Sequence, residues 1–263
     1  MSNARPAERE PLRADEVLPI LRALHDADTV LIGGQALNVW CEIYATNVEA
    51  LRAYAPFTSK DVDAQGDRNA VEMCARALGV RPMFSTSARD ADSDAINSGY
   101  MEVPIRHSHV GVNVVVKPYG LKQNEVRDTA LMLELDGNPL RVMHPVLVME
   151  SRIANVIGLH RTDPHSLMQA RASILCAREF IHDPSREKRE ALALVERIFR
   201  YARSDTNARH ASARFALNAF DAVTPGAPLP PAFGEKRYPE MFAQIEARNE
   251  RQRQTYEASL SRR

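Results

Sequence analysis

Thr29-Val30-Leu31-Ile32-Gly33-Gly34-Gln35-Ala36-Leu37 and, further on, Thr58-Ser59-Lys60-Asp61-Val62-Asp63 decide how this chain is read. The apolar run predicts a short strand. The paired glycines predict a sharp turn into a helix. Lacking Cβ atoms, Gly33 and Gly34 let a ligand phosphate come close to main-chain N–H groups. The N-terminus of the following helix adds its positive dipole end to such a site. With Lys60 to Gln65 as a strand, Asp61 and Asp63 project from one face and Val62 enters the core from the other. Such a pair, about 7 Å apart at Cα, can share a Mg²⁺. That ion takes few protein oxygens and completes its shell with substrate phosphates.

A Gly-Gly turn at a helix start, followed by Asp-x-Asp on the next strand, resembles the nucleotidyltransferase superfamily that includes DNA polymerase β. The form Gly-Gly-x-Ala followed by Asp-Val-Asp is most similar to the bacterial nucleotidyltransferase-like proteins of the abortive-infection toxin type. The resemblance covers about residues 29–175, with Glu42 to Phe57 as an inserted spacer. It implies an α+β fold: a small mixed-sheet core flanked by helices, then an all-helical C-terminal half. Read along the chain, the expected division is residues 1–143 for the core, of which 1–14 read as a disordered leader, and 144–263 for the helical domain.

The resemblance also implies site roles. Gly33, Gly34 and Ser59 would hold a nucleoside triphosphate, and Asp61 and Asp63 would hold Mg²⁺. The family's third carboxylate stands on a strand ending shortly before a Gly-Leu pair. Here that pair is Gly120-Leu121, and the matching position is Asn113. An amide oxygen ligates a hard cation but does not take a proton near neutral pH. Two Mg²⁺ clamping a transferring phosphoryl group bring four positive charges, which Asp61 and Asp63 alone do not balance. Glu102, on the preceding strand, is the candidate to replace the missing acid. Lys117, on the same face as Asn113 if the strand continues, is placed to contact a phosphate or to stand in for a cation.

The segment His144-Pro145-Val146-Leu147-Val148-Met149-Glu150-Ser151-Arg152 resembles the family's proline-led helix carrying a Ser-Arg or Ser-Lys pair. It assigns Arg152 to bidentate phosphate contact; the alternative is an exposed helix arginine. Arg171 is a weaker candidate of the same kind. The activity implied is transfer of a nucleoside monophosphate from a triphosphate to a hydroxyl of RNA, protein or a small molecule. A toxin with a cognate antitoxin is the setting it suggests. The alternative is a nucleotide-binding or partner-binding module that has lost its chemistry.

The 263 residues suffice for one large domain or two modest ones, and 34 basic residues balance 34 acidic ones. No global field therefore steers the chain to nucleic acid. The three cysteines, Cys41, Cys74 and Cys176, lack metal spacing and read as reduced thiols. No apolar run approaches a membrane span, and the polar start holds no signal core, so a bacterial-type cytoplasm is the expected compartment.

Local signals complete the reading. Val17, Leu18, Leu21 and Leu24 make a buried helical stripe. Leu37, Trp40, Cys41 and Tyr44 make another, with Trp40 read as core. Arg68 to Leu78 is a helix closed by Gly79, and Val80 to Phe84 a strand. Asp90, Asp92 and Asp94 read as a solvated loop, and His107 and His109, with no third ligand in sight, as surface or satisfied histidines rather than a metal pair. Tyr100 to Ile105 and His109 to Val116 are strands of period two. Leu131 to Leu135 and Pro139 to Met143 form a hairpin about Asp136-Gly137-Asn138. Helices follow at Ser166–His182, Pro184–Arg203, Asp205–Phe220 and Tyr238–Leu260, with Pro225 to Pro231 as a linker. The last helix mixes arginine with glutamate and reads as a solvated or partner-binding face.

Overall fold

The computed structural model describes residues 14–55, 61–84, 97–106, 108–225 and 227–260. Ser59, the Asp90, Asp92 and Asp94 run, His107 and residues 1–13 lie outside the described residues. The chain forms two compact units. The first takes the described residues of Met1–Asn38, Pro56–Pro118 and Lys122–Met143; the second takes those of Val39–Ala55, Tyr119–Leu121 and His144–Arg263. The segments Val39–Ala55 and Tyr119–Leu121 thus go with the helical half, although they lie early in the chain.

The first unit is a six-stranded mixed sheet. Its strands are β1 (Val30–Ile32), β2 (Asp61–Gln65), β3 (Asn97–Ile105), β4 (Ser108–Val115), β5 (Leu131–Leu135) and β6 (Asn138–Val142), in the order β3-β4-β2-β1-β6-β5. Helix α1 (Ala14–Asp26) packs on β6 and β1, and α4 (Arg68–Leu78) packs on α1 and β3. Period two explains which face they cover. Met101, Val103, Val112 and Val114 are buried. Gly99, on the same side of β3, lies against Val71 of α4. Tyr100, Glu102, Asn113, Asp61 and Asp63 therefore fall on the opposite face.

Local chemistry sets the ends of these elements. Asp67 accepts from the Ala70 N–H at 2.9 Å and starts α4; Gly79, at φ +67°, ends it. The β5–β6 turn has positive φ at Asp136 (49°) and Gly137 (74°), the geometry that joins tightly twisted hairpin strands. One expected strand is absent: of Val80 to Phe84 only Met83 pairs, in a single bridge to Tyr100. Pro82 offers no N–H to a ladder.

The second unit contains the rest of α2 (Gly33–Ala45), α3 (Glu49–Arg52), α6 (Pro145–Gly158), α7 (Pro164–His182), α8 (Lys188–Ser204), α9 (Thr206–Phe215) and α10 (Tyr238–Leu260). The remaining helix, α5 (Gln123–Thr129), belongs to the first unit. Val146, Met149, Ile153, Ile174, Ile181, Val195, Ile198 and Phe220 form the core of the helical unit. Within it the side chain of Glu150, 5% exposed, receives two hydrogen bonds from Arg197, at 2.7 and 2.6 Å.

Two expectations are corrected here. Helix α9 stops at Phe215, and Ala219–Ala222 is a separate 3-10 turn, because Ala216 takes φ +54°. The Pro225–Pro231 run is no free linker, since Ala227 is buried in the core and Leu229 packs on it. The distant Cys41 and Cys176 meet with sulfurs 3.6 Å apart. Trp40 is core as expected, 3% exposed, edge-on to Phe180.

Candidate functional site

The sheet builds the site in two rows. Ile32 of β1, Asp63 of β2, Asn113 of β4 and Tyr100 of β3 stand side by side in register. One residue pair along, Asp61, Gly111 and Glu102 make the second row. The parallel pairing of β2 with β4 is what brings Asn113 beside Asp63, and a one-residue slip would turn the amide to the other face.

Asp63 is the centre of the first row and is half-buried. The Asn113 Nδ2 donates to its Oδ1 at 3.1 Å. Its Oδ2 lies 2.4 Å from where a Cβ on Gly33 would stand, and Gly33 has φ +68°. Both facts demand glycine at 33: the backbone is left-handed there, and the carboxylate fills the space of a side chain. Gly34, buried, follows in the first turn of α2. The N-terminal turn of a 13-residue helix thus begins against the Asp63 carboxylate.

In the second row Gly111 leaves a gap that its neighbours fill. A Cβ at Gly111 would lie 2.8 Å from Asp61 Oδ1 and 3.2 Å from the Tyr100 hydroxyl. Asp61 and Tyr100 therefore lean over Gly111 from either side. The Tyr100 hydroxyl donates to Glu102 Oε1 at 3.0 Å. Glu102 is exposed, and among the described residues no three His, Cys, Asp or Glu side chains are grouped to hold a metal ion. Glu102 is thus not brought in as a third carboxylate ligand beside Asp61 and Asp63.

Lys117 does not share the face of Asn113 through a continued strand, because β4 ends at Val115. The chain bends at Val116 and Lys117, where Gln65 Nε2 donates to Val116 O and to Gln123 O, both at 2.9 Å. Lys117 is half-buried on that bend. Arg152 lies in the second unit on α6. It is 8% exposed and donates to Gln169 Oε1 at 3.0 Å, so the reading as an exposed helix arginine is corrected. Arg171, on α7, is exposed.

Sequence reasoning passed over Gln65, Tyr100 and Gly111. A lone glycine within a valine-rich strand signals a close approach, and Gly111 carried that signal. Nothing local marks Gln65, whose importance comes from two carbonyls more than 50 residues away.

No protein-family model matches the chain, and no curated protein matches it. Two solved structures are similar in fold. One is an antigenic nucleotidyltransferase-like protein from Paracoccidioides brasiliensis, 15% identical, with a TM-score of 0.44, covering 72% of this chain and 91% of that one. The other is the Megavirus polyadenylate synthase, 10% identical, with a TM-score of 0.40, covering 73% of this chain and 36% of that one. At such identities and scores the likenesses carry nothing about activity.

Proposed function

We propose that the face carrying Asp61 and Asp63 binds a nucleoside triphosphate together with one Mg²⁺, as the core of a nucleotidyltransferase-type protein. The observation that supports this most is the contact of Asp63 with Gly33, which puts a carboxylate against the start of α2. Anions are favoured at that helix end, and a cation is favoured at the carboxylates. A Mg²⁺·triphosphate supplies both at once. The donor set fits one ion: two carboxylates from Asp61 and Asp63 and the Asn113 amide, with phosphate and water oxygens completing an octahedron. It does not fit an ion caged by protein alone. When bound, the ion would neutralise phosphate charge and orient the triphosphate. The chain's own groups would do the rest: Gly33 and Gly34 present main-chain N–H groups, and Gln65 fixes the bend carrying Lys117.

In transfer, an acceptor hydroxyl oxygen would bond to the α-phosphorus as the bond to the β-phosphate oxygen breaks. Pyrophosphate leaves, and the hydroxyl proton goes to a base. Asn113 is no base. With Asp61 and Asp63 given to the metal, the Glu102 carboxylate, which accepts from the Tyr100 hydroxyl, is the base this proposal assigns to that proton. An acceptor of RNA, protein or a small molecule, and a toxin role with a cognate antitoxin, belong to this proposal on the sequence resemblance alone. A second reading, nucleotide binding without transfer, is favoured by the Asn113–Asp63 hydrogen bond.

Calorimetric titration with the four nucleoside triphosphates, with and without Mg²⁺, tests the site. Binding should require Mg²⁺ and vanish in the Asp61→Asn, Asp63→Asn double variant. Failure of all four to bind the folded protein would overturn the proposal. Pyrophosphate release from bound nucleotide in the presence of bulk RNA then separates the two readings.

A further inference from the structure

A concentrated charge feature lies in the helical unit. A groove of about 700 Å³ opens between α8 and α10, lined by Arg203 of α8 and by Gln244, Arg248, Arg251, Gln252 and Thr255 of α10 over two alanines. No Asp or Glu lines it. We infer that this groove binds the phosphodiester backbone of a single-stranded nucleic acid.

The argument begins with how α10 sorts its charges. In sequence its arginines and glutamates interleave and look self-neutralising. At roughly 100° per residue, Gln244, Arg248, Arg251 and Thr255 form one stripe. Glu246, Glu250 and Glu257 fall on the far side, and Glu240, one turn before Gln244, lies beyond the lined part of the stripe. On that side Glu250 pairs with Arg253 and accepts from Gln254, and Glu246 faces the like charge of Asp221. Among the described residues none of Arg203, Arg209, Arg248 and Arg251 enters an ion pair. The Arg203 guanidinium instead sits 5.5 Å from the centre of the Phe199 ring.

These cations repel one another. Burial first, then Arg209, Arg203 and Arg251, pull Arg248 below the usual guanidinium range. A fold that gathers like charges without a counter-charge spends stability on it, and a polyanion would return that stability.

The lining chooses among polyanions. An acidic protein segment binds chiefly through apolar anchors seated in pockets, and here the apolar floor is alanine methyl groups. A phosphodiester chain needs fixed cations and neutral hydrogen-bonding groups, which position it without reading sequence. Arginine forks serve the phosphates, and Gln244, Gln252 and Thr255 serve phosphate and sugar oxygens. From Gln244 to Thr255 the stripe runs about 16 Å along the helix axis, enough for several consecutive phosphates. The inference stands on the helical unit alone and holds whether or not the sheet binds a nucleotide.

The test is fluorescence anisotropy of the full chain with a labelled single-stranded RNA of mixed sequence, and with the matching DNA, across a salt series. Three phosphate contacts predict a slope of log affinity against log salt near about −2. Arg248→Gln with Arg251→Gln should weaken binding at least about tenfold and bring the slope toward about −0.7. Arg203→Gln alone should remove about one third of the slope. Thermal melting shows that each variant is folded. Binding of either strand type with this dependence supports the site. No binding at about 50 mM salt, or a double variant with unchanged affinity and slope, overturns it. Poly-glutamate binding as tightly and with the same arginine dependence also overturns it, in favour of an acidic protein partner.

Discussion

Replacing Asn113 by Asp tests the geometry of the site most directly. Asn113 donates to Asp63 Oδ1 at 3.1 Å, and both residues are half-buried. The substitution exchanges a hydrogen bond to a carboxylate, worth about 1.5–3 kcal/mol, for two negative charges at the same spacing. At 3.1 Å their repulsion is about 1 kcal/mol in bulk water and about 5 kcal/mol at an effective dielectric constant of about 20. Relaxation will move the carboxylates apart, so a loss of about 2–5 kcal/mol is expected for the metal-free variant. A Mg²⁺ between the carboxylates converts that repulsion into ligation. The variant should therefore gain stability steeply with Mg²⁺, by RT ln(1 + [Mg²⁺]/Kd), while the parent, without the added carboxylate, gains much less. Urea denaturation in EDTA and across a Mg²⁺ series measures both effects. Equal stability of parent and variant in EDTA, together with indifference to Mg²⁺, would show that residues 63 and 113 share no corner, and the site would have to be redrawn.

Gly33→Ala should destabilise the first unit and abolish nucleotide binding, because its Cβ would stand 2.4 Å from Asp63 Oδ2. Gly79→Ala is the control. It has φ +67° and nothing within 4 Å, so it loses only the backbone term of about 1–2 kcal/mol, and binding should survive; loss of binding in both variants would refute the contact. Arg197→Ala removes both hydrogen bonds to buried Glu150 and should lower stability by about 3–5 kcal/mol, with part regained in the double variant that adds Glu150→Gln; a change below about 1 kcal/mol would mean the pair is solvent-screened. His144 has its imidazole pushed down to about 3, by burial first and then by Arg186 and Arg197. Its Nδ1 accepts the Val146 N–H at 3.2 Å. The native state resists the proton that the unfolded chain takes near pH 6.5. Stability from this group is thus whole above about 6.5 and falls by about 1.4 kcal/mol per pH unit down to about 3. His144→Asn, which also caps a helix, should flatten that slope between pH 6.5 and 4.5 in denaturant titrations, and parallel curves for the two proteins would sink the assignment.

What could be read from the sequence was whatever a few neighbouring residues decide. Asp67 and Gly79 bracket α4 by a cap and a left-handed turn. Asp136-Gly137 makes a hairpin whatever surrounds it. Alternating valines along β4 pick the core face, and with it the opposite face where Asp61, Asp63 and Asn113 stand. Where rule and structure part, a distant partner or a rare conformation has intervened. Ala216 closes α9 at φ +54°, a role the sequence rule reserves for glycine. The prolines after Pro225 signal an exposed linker, yet Ala227 and Leu229 are claimed by the helical core. Gln65 reaches two carbonyls beyond β4, on either side of Lys117.

The same division runs through function. The Gly-Gly and Asp-Val-Asp signatures are local; the family resemblance joins them in order, but their contact depends on β1 and β2 being antiparallel neighbours. That pairing presses Gly33 against Asp63. Charge is read less well, because a count of arginines and glutamates ignores angle. On α10 the balance is real along the chain and broken around the helix, since side chains a few positions apart face opposite sides. A chain with 34 basic and 34 acidic residues can therefore still keep a groove with three arginines and no acid. Overall neutrality excludes long-range steering. It leaves open contact at a groove lined by three arginines, with Glu246, Glu250 and Glu257 on the other side of the helix.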